Sequence, residues 1–197
     1  MPSTANSEPS DITAVILAGG RSARMGQDKA LLMWQQRPFI AHIIERLQAQ
    51  VGRIAINTNS PQAFADFGLP LIADEFSESR GPLAGIAAAL NYSSARLTLI
   101  VPCDNPQLSP QLTARLQTAM ESENADLAYA RSGGDKHYLH ALMRSDLRID
   151  LNNFLLANDY AVHRWYATLR STCAEFDDQP ENFRNINRAA DLTQLQQ

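Results

Sequence analysis

The apolar run Ile12–Leu17, which ends just before the glycine pair Gly19 and Gly20, is the feature that most constrains the fold. A nearly continuous apolar run of this length is typical of a strand that is buried on both faces. Such strands occur in parallel sheets, because crossover helices cover both faces of those sheets. The run therefore predicts the first strand of an α/β fold.

Strand and helix patterns alternate over the next hundred residues. An apolar stripe at helical spacing predicts a helix over residues 39–50, and further helices are expected over residues 83–90 and 111–121. Short apolar runs between these helices predict strands at residues 53–57, 69–73 and 97–101, the last of them central in the sheet. The alternation predicts right-handed crossovers onto a mostly parallel sheet.

The second half of the chain is less regular. Residues 125–131 and 138–143 are expected to form strands around a turn at residues 132–135, which predicts an antiparallel edge on the sheet. Helices are expected over residues 146–156 and 162–169, and a closing helix is expected from Arg188.

Composition narrows the class of protein. The 197 residues fit one domain, expected over residues 12–197 after a disordered tail at residues 1–11. A net charge of −4 disfavours nucleic-acid binding, which usually requires a basic domain. Two widely spaced cysteines, no signal peptide and no membrane-length apolar stretch predict a cytoplasmic protein with no membrane partner.

Polar or glycine residues follow four strands of the predicted sheet. Gly19 and Gly20 follow the first strand, Asn57 and Asp74 follow the next two, and Asp104 follows the central one. Ligands of open α/β sheets bind outside the carboxyl ends of the strands, so we expect these residues to form one site. Each of them, taken alone, is also consistent with an ordinary turn or helix cap.

The glycine loop is also rich in positive charge, at Arg21, Arg24 and Lys29. Bare glycine backbone can turn its amide groups toward phosphate, and the basic side chains would supply the countercharge. The spacing fits neither GxGxxG nor Gly-x4-Gly-Lys-Ser/Thr, so a different phosphate loop is expected. Asp104 suits Mg²⁺, which proteins commonly hold with one or two carboxylates, substrate phosphates and water.

His137 and His140 invite a metal-site interpretation. In a regular strand, however, a spacing of three residues puts two side chains on opposite faces of the sheet. We therefore expect no metal site at these two histidines.

Four segments carry a resemblance to a known family: AVILAGGRSARMGQDKALL at residues 14–32, RGPLAGI at residues 80–86, VPCDNP at residues 101–106 and FRNINRAADL at residues 183–192. In this order they closely resemble the bacterial molybdenum cofactor guanylyltransferases. The resemblance implies a three-layer, Rossmann-like nucleotidyltransferase fold. It also implies transfer of GMP from GTP to the phosphate of molybdenum-bound molybdopterin, with release of pyrophosphate and with Mg²⁺ as cofactor.

The resemblance also implies roles for individual residues. Residues implied to contact GTP are Leu17, Ala18, Gly19, Lys29, Asn57, Asp74 and Asp104. Asp104 would bind Mg²⁺, and Lys29, Arg24 and Asp104 would carry the catalysis. The attacking group is itself a phosphate, which is mostly dianionic at neutral pH, so no general base is required. The reaction then depends on alignment and charge neutralisation.

Two alternatives remain open at this point: a related nucleotidyltransferase that uses CTP or a sugar phosphate, and a carrier of nucleotide or cofactor that does no chemistry. Gly19, where the cytidylyltransferases usually carry alanine, favours guanine. The chain lacks the His-Pro pair at His137-Tyr138 and the paired arginines at residues 158–161 that family members often have. Further implied partners are other cofactor-biosynthesis proteins and apo-molybdoenzymes, and we expect a monomer.

Overall fold

The structure, a computed structural model, describes residues 11–19, 29–74, 81–157 and 159–183. In the described part of the chain, seven strands form one sheet, which are, in order across it, β5 (Leu71–Ile72), β4 (Arg53–Asn57), β1 (Ile12–Leu17), β6 (Leu97–Pro102), β8 (Asp135–Arg144), β7 (Leu127–Ser132) and β9 (Ser171–Glu175). The strands on one side and in the centre of this sheet are β1 (Ile12–Leu17), β4 (Arg53–Asn57), β5 (Leu71–Ile72) and β6 (Leu97–Pro102). All four run parallel to one another, which confirms the predicted parallel sheet.

The register of the parallel strands brings their carboxyl ends to one level. Leu17 of β1 lies opposite Asn57 of β4 on one side and opposite Pro102 of β6 on the other. Asn57 in turn lies opposite Ile72, the last residue of β5. Residues that directly follow these strands therefore meet at one edge of the sheet.

Helices cover both faces of the sheet and give three layers. Helices α1 (Phe39–Gln48) and α3 (Leu112–Ser122) pack on the face to which Ile12, Ala14 and Ile16 point. The opposite face receives Val15 and Leu17 and is covered by α2 (Pro82–Tyr92), α4 (Arg148–Leu156) and α5 (Val162–Tyr166). Alternate residues of β1 thus enter two separate cores, which explains why the whole run is apolar.

The second half of the chain completes the sheet with β7 (Leu127–Ser132), β8 (Asp135–Arg144) and β9 (Ser171–Glu175). The predicted antiparallel pairing is present, since β8 runs antiparallel to both β6 and β7. This antiparallel pairing lies inside the sheet and not at its edge as expected, because β9 pairs parallel with β7 and forms the outer edge. Strand β9 was not predicted, and the closing helix expected from Arg188 lies outside the described residues.

The described structure begins at Asp11, whose carboxylate accepts a hydrogen bond of 2.8 Å from Nε of Arg96. The tail at residues 1–10 lies outside the described residues. A small unpredicted hairpin, β2 (Met33–Trp34) with β3 (Arg37–Pro38), precedes α1. None of the helices in the described part of the chain combines the length and the apolar character that crossing a membrane requires.

Candidate functional site

Five of the residues predicted to contact nucleotide lie together at the carboxyl edge of β1 and β4. Leu17 ends β1, and the backbone N–H of Ala18 donates a 2.9 Å hydrogen bond to the carbonyl of Asn57. A methyl group built on Gly19 would lie 3.5 Å from Oδ1 of Asn57 and 3.8 Å from Oδ2 of Asp74. The structure therefore brings the glycine backbone directly against both polar side chains.

Asn57 is buried, and its amide nitrogen has two acceptors. Nδ2 donates to the carbonyl of Ile72 at 3.2 Å and to Oδ1 of Asp74 at 3.0 Å. An amide nitrogen carries only two hydrogens, so these bonds use its whole donor capacity. The oxygen Oδ1 faces Gly19 and Gly85, and it presents a hydrogen-bond acceptor at the floor of the site.

Asn59 is a residue of this site that the sequence interpretation missed. Its Nδ2 donates to Oδ2 of Asp74 at 2.9 Å, and its Oδ1 accepts from the backbone N–H of Asp74 at 3.2 Å. The two asparagines thus hold one carboxylate oxygen each, which orients the carboxylate of Asp74. The Asn-x-Asn spacing in INTN was the available signal, because residues two apart share a face of an extended chain.

Gly85, in the first turns of α2, permits a close approach of this helix to the same corner. A methyl group built on Gly85 would lie 2.6 Å from Oδ1 of Asn57 and 3.0 Å from Cδ2 of Leu17. Contacts this short require a neighbour to move, so only glycine fits at this position without disturbing Asn57. The glycine near the end of RGPLAGI is therefore explained by the packing of α2 against β1 and β4.

Asp104 follows β6 at the same end of the sheet, as predicted. Its Oδ1 atom is buried and has no hydrogen-bond partner among the described residues. Burial raises the pKa of this carboxyl above its ordinary value, and the nearby positive charge of Lys29 opposes that rise only in part. A buried carboxylate oxygen without a partner is suited to bind a cation, so the residues present fit the implied Mg²⁺.

In the described part of the chain, Asp104 does not belong to a cluster of metal-ligating side chains. Within residues 11–19, 29–74, 81–157 and 159–183, no three or more histidine, cysteine, aspartate or glutamate side chains are grouped so that they could hold a metal ion. A cation at Asp104 would therefore draw its other ligands from phosphate oxygens and water, which is the usual arrangement for Mg²⁺.

Other predicted residues lie outside the described part of the chain. Arg24 and Arg21, like Gly20, fall in the segment at residues 20–28, and the roles predicted for them stay predictions. Lys29 begins a short 3₁₀ turn, Lys29–Leu31, which carries its side chain toward Asp104 closely enough to affect the pKa of that carboxyl.

The expectation that His137 and His140 lie on opposite faces was wrong. Their ring centroids are 5.9 Å apart, and both rings pack against Phe183, at 4.8 Å and 5.1 Å. The cause is an irregularity in the pairing of β7 with β8: Tyr129 pairs with Ala141, while the next residue, Ala130, pairs with His137. The residues between these two pairs have no partner on β7, so the simple alternation of faces is interrupted.

The chain is similar to a known protein family over most of its length. Residues 14–173 match the MobA-like NTP transferase domain family. The molybdenum cofactor guanylyltransferase of Shewanella putrefaciens is 43% identical over 95% of this chain and 97% of its own length. The protein of the same name from Shewanella sediminis is 42% identical over 93% of this chain and 95% of its own.

Solved structures share the fold at low sequence identity. Molybdopterin-guanine dinucleotide biosynthesis protein A from Archaeoglobus fulgidus superposes with a TM-score of 0.76 at 20% identity, covering 92% of this chain and 95% of that one. The 4-diphosphocytidyl-2C-methyl-D-erythritol synthase from Anaerococcus prevotii superposes with a TM-score of 0.74 at 10% identity, covering 96% and 100%. Nucleotidyltransferases with different substrates therefore have this architecture.

Proposed function

Because this chain belongs to the molybdenum cofactor guanylyltransferases of the MobA-like NTP transferase family, we propose that it transfers GMP from GTP to the phosphate of molybdenum-bound molybdopterin. The new bond joins an oxygen of the pterin phosphate to the α-phosphorus of GTP. The bond from that phosphorus to the bridging oxygen breaks, and pyrophosphate leaves. The product is a dinucleotide form of the cofactor.

One observation carries the proposal beyond family membership. Gly19, Asn57, Asp74 and Asp104 follow four different strands, and the register of those strands brings them to one edge of the sheet. The corner at Gly19 and Asn57 offers bare backbone and acceptors, while Asp104 and Lys29 offer opposite charges. A nucleoside triphosphate has matching parts, a base with donor groups at one end and phosphates at the other.

The corner at Asn57 and Asp74 supports guanine as the base. The two amide hydrogens of Asn57 are already donated within the protein, and both oxygens of the Asp74 carboxylate can only accept hydrogen bonds. Guanine presents two adjacent donors, the ring N1–H and the exocyclic N2–H₂, which match a carboxylate with two acceptor oxygens. Cytosine presents one exocyclic donor beside a ring acceptor, so it fits the same atoms less well.

The phosphate end of the site requires positive charge and no general base. The attacking phosphate is mostly dianionic at neutral pH, so no side chain has to remove a proton from it. Lys29 would bind the triphosphate and neutralise the charge that develops on pyrophosphate, and we extend this role to Arg24. Asp104 would hold Mg²⁺. Mg²⁺ held by Asp104 would supply positive charge that stabilises the phosphates during transfer.

Partners and location are also proposals. Cys103 and Cys173, the two cysteines of the sequence, are not joined in a disulfide bond, which is consistent with a reducing compartment such as the cytoplasm. GTP and molybdenum-bound molybdopterin are the proposed substrates, other cofactor-biosynthesis proteins and apo-molybdoenzymes are proposed later partners, and the enzyme is proposed to act as a monomer.

Pyrophosphate release tests this function. The purified protein is incubated with molybdopterin or its molybdenum-loaded form, with each of the four ribonucleoside triphosphates in turn, and with or without Mg²⁺. Activity with GTP that requires Mg²⁺ is expected. Activity with CTP and none with GTP would refute the choice of base, and a sugar 1-phosphate consumed as fast as the pterin would refute the choice of acceptor.

Variants of the site distinguish an enzyme from a carrier that only binds nucleotide or cofactor. Asp104→Ala and Lys29→Ala are each expected to lower turnover by about 100-fold or more, since each removes charge stabilisation at the phosphates. Asp66→Ala changes an exposed aspartate in the 3₁₀ segment Pro61–Phe67 and serves as the matched control. Full turnover by both site variants would show that the assigned site is wrong.

A further inference from the structure

A buried polar cluster lies directly beside the proposed metal ligand. Asn105, the residue after Asp104, is completely buried, and its Nδ2 donates to the backbone carbonyl of Asn182. The same nitrogen lies 3.1 Å from Nε2 of His140, which is also buried. Asn105 therefore joins the loop after β6 to two other parts of the fold, β8 and the 3₁₀ segment Pro180–Phe183.

The partners of Asn105 determine the proton position on His140. The carbonyl of Asn182 can only accept, so the amide nitrogen and not the amide oxygen of Asn105 must face it. The second hydrogen of that nitrogen points to Nε2 of His140, which must then be unprotonated. Burial, with a smaller contribution from His137, lowers the pKa of His140 to about 3, so the ring is neutral with its hydrogen on Nδ1.

Aromatic packing holds Phe183, the last residue of the 3₁₀ segment Pro180–Phe183. Phe183 packs against His140 at 5.1 Å, against His137 at 4.8 Å and against Phe176 at 4.9 Å between ring centroids. The segment Pro180–Phe183 is thus fixed by stacking on one side and by the hydrogen bond from Asn105 on the other. The loop after β6 has this segment as a rigid support.

We propose that Asn105 and His140 are positioning residues, which hold the loop of Asp104 so that its carboxylate points to the metal and the phosphates. The inference rests on the proposed function, because it matters only if Asp104 binds a metal ion. Among the described residues Oδ1 of Asp104 has no hydrogen-bond partner, and the carboxyl is hydrogen-bonded to the backbone of Asp104 itself, so its direction depends on the backbone that Asn105 anchors. His140 contributes as the neutral acceptor that completes the donor set of Asn105.

Two polar substitutions of His140 make a matched pair for the test. In His140→Gln, the side-chain oxygen can occupy the position of Nε2 and accept from Asn105. In His140→Asn, the shorter amide ends near the position of Nδ1 and leaves Asn105 without that acceptor. Thr98→Val is the stability control, because it removes a buried 2.7 Å hydrogen bond to Ser145 from the opposite end of the same strand, β6.

Metal affinity is measured directly, without turnover. Mn²⁺ replaces Mg²⁺, and its binding to the protein with GTP present is followed by electron paramagnetic resonance. The dissociation constant for Mn²⁺ is expected to rise about 10-fold in His140→Asn and to stay within about twofold of wild type in His140→Gln. Thr98→Val should leave that constant unchanged, and GTP binding without metal should be equal in all four proteins.

The outcomes separate this inference from the proposed function. Wild-type protein that binds Mn²⁺ with GTP and releases pyrophosphate, together with a His140→Asn variant of unchanged Mn²⁺ affinity, overturns the positioning role alone. Wild-type protein with neither property overturns the proposed function and this inference with it. If His140→Asn does not fold, His140→Leu replaces it, since leucine is apolar and also cannot accept from Asn105; unchanged Mn²⁺ affinity in that variant overturns the role equally.

Discussion

Substitution of Asp104 by asparagine should stabilise the metal-free protein while it removes activity. Oδ1 of Asp104 is buried and has no hydrogen-bond partner among the described residues; such a group typically costs about 1–3 kcal/mol, more when it is charged, and asparagine removes the charge. Electrostatic attraction to Lys29 offsets part of the free-energy cost of burying this carboxylate. We therefore expect Asp104→Asn to raise the free energy of unfolding by about 1 kcal/mol at pH 7, and the midpoint of thermal unfolding by about 2–4 °C.

The pH dependence of this gain has a definite sign. Burial raises the pKa of Asp104 in the folded state, so the folded protein binds a proton more tightly than the unfolded chain does. Wild-type stability consequently falls as the pH rises from the unfolded pKa, about 3.9, to the raised folded pKa. The advantage of Asp104→Asn should be smallest below about pH 4, grow through that window and then stay constant.

Urea unfolding at several pH values, with a chelator present, measures this advantage. Addition of Mg²⁺ and GTP should reverse the order of stability, because wild type gains about 2.7 kcal/mol when free ligand is 100 times its dissociation constant. A variant that is less stable than wild type at pH 7 without metal would refute the reasoning. So would an advantage that does not change between pH 4 and pH 8.

Three further predictions concern the remaining parts of the site. Gly85→Ala should lower the free energy of unfolding in urea by about 1–3 kcal/mol and raise the KM for GTP, because the added methyl group would lie 2.6 Å from Oδ1 of Asn57. An unchanged free energy and an unchanged KM would contradict the packing described for α2. Asn59→Ala should weaken GTP binding about 5- to 10-fold in calorimetry, since Asp74 loses two hydrogen bonds, and equal affinity would exclude that support. Lys29→Met should lower kcat about 100-fold and should slightly lower the stability of the metal-free protein, because the attraction to Asp104 is lost; a loss confined to KM would contradict its role in the transition state.

Much of the fold was predictable from local patterns. The run Ile12–Leu17 is apolar at every position but one, because its alternate residues enter two different cores, and this makes a doubly covered strand visible in the sequence. Parallel strands also end at the same edge, so residues that follow them, such as Asn57 and Asp104, were correctly expected to share that edge. The predictions for the helices of the first half, α1 to α3, were also confirmed, and that for α1 rested on its apolar stripe at helical spacing.

Other features left no local pattern to find. Strand β9, with the sequence STCAE, has one buried residue, because an edge strand that pairs with only one neighbour needs little apolar surface. The irregular pairing beside His137 depends on the partner strand β7, and regular alternation therefore assigned the two histidines to opposite faces. Asn59 gains its role only because β5 delivers Asp74 to it from fifteen residues away.

The sequence by itself determined the α/β class, the parallel sheet and the edge where the candidate site lies, because burial on both faces and the direction of parallel strands are properties of short segments. Tertiary structure alone decided which atoms of that site remain available. The donors of Asn57 are used by Ile72 and Asp74, and Oδ1 of Asp104 has no partner within the part of the chain that the structure describes. The donors and acceptors of the site form hydrogen bonds with segments that are distant in the chain. Only the packed fold therefore shows which donors and acceptors remain available to a ligand.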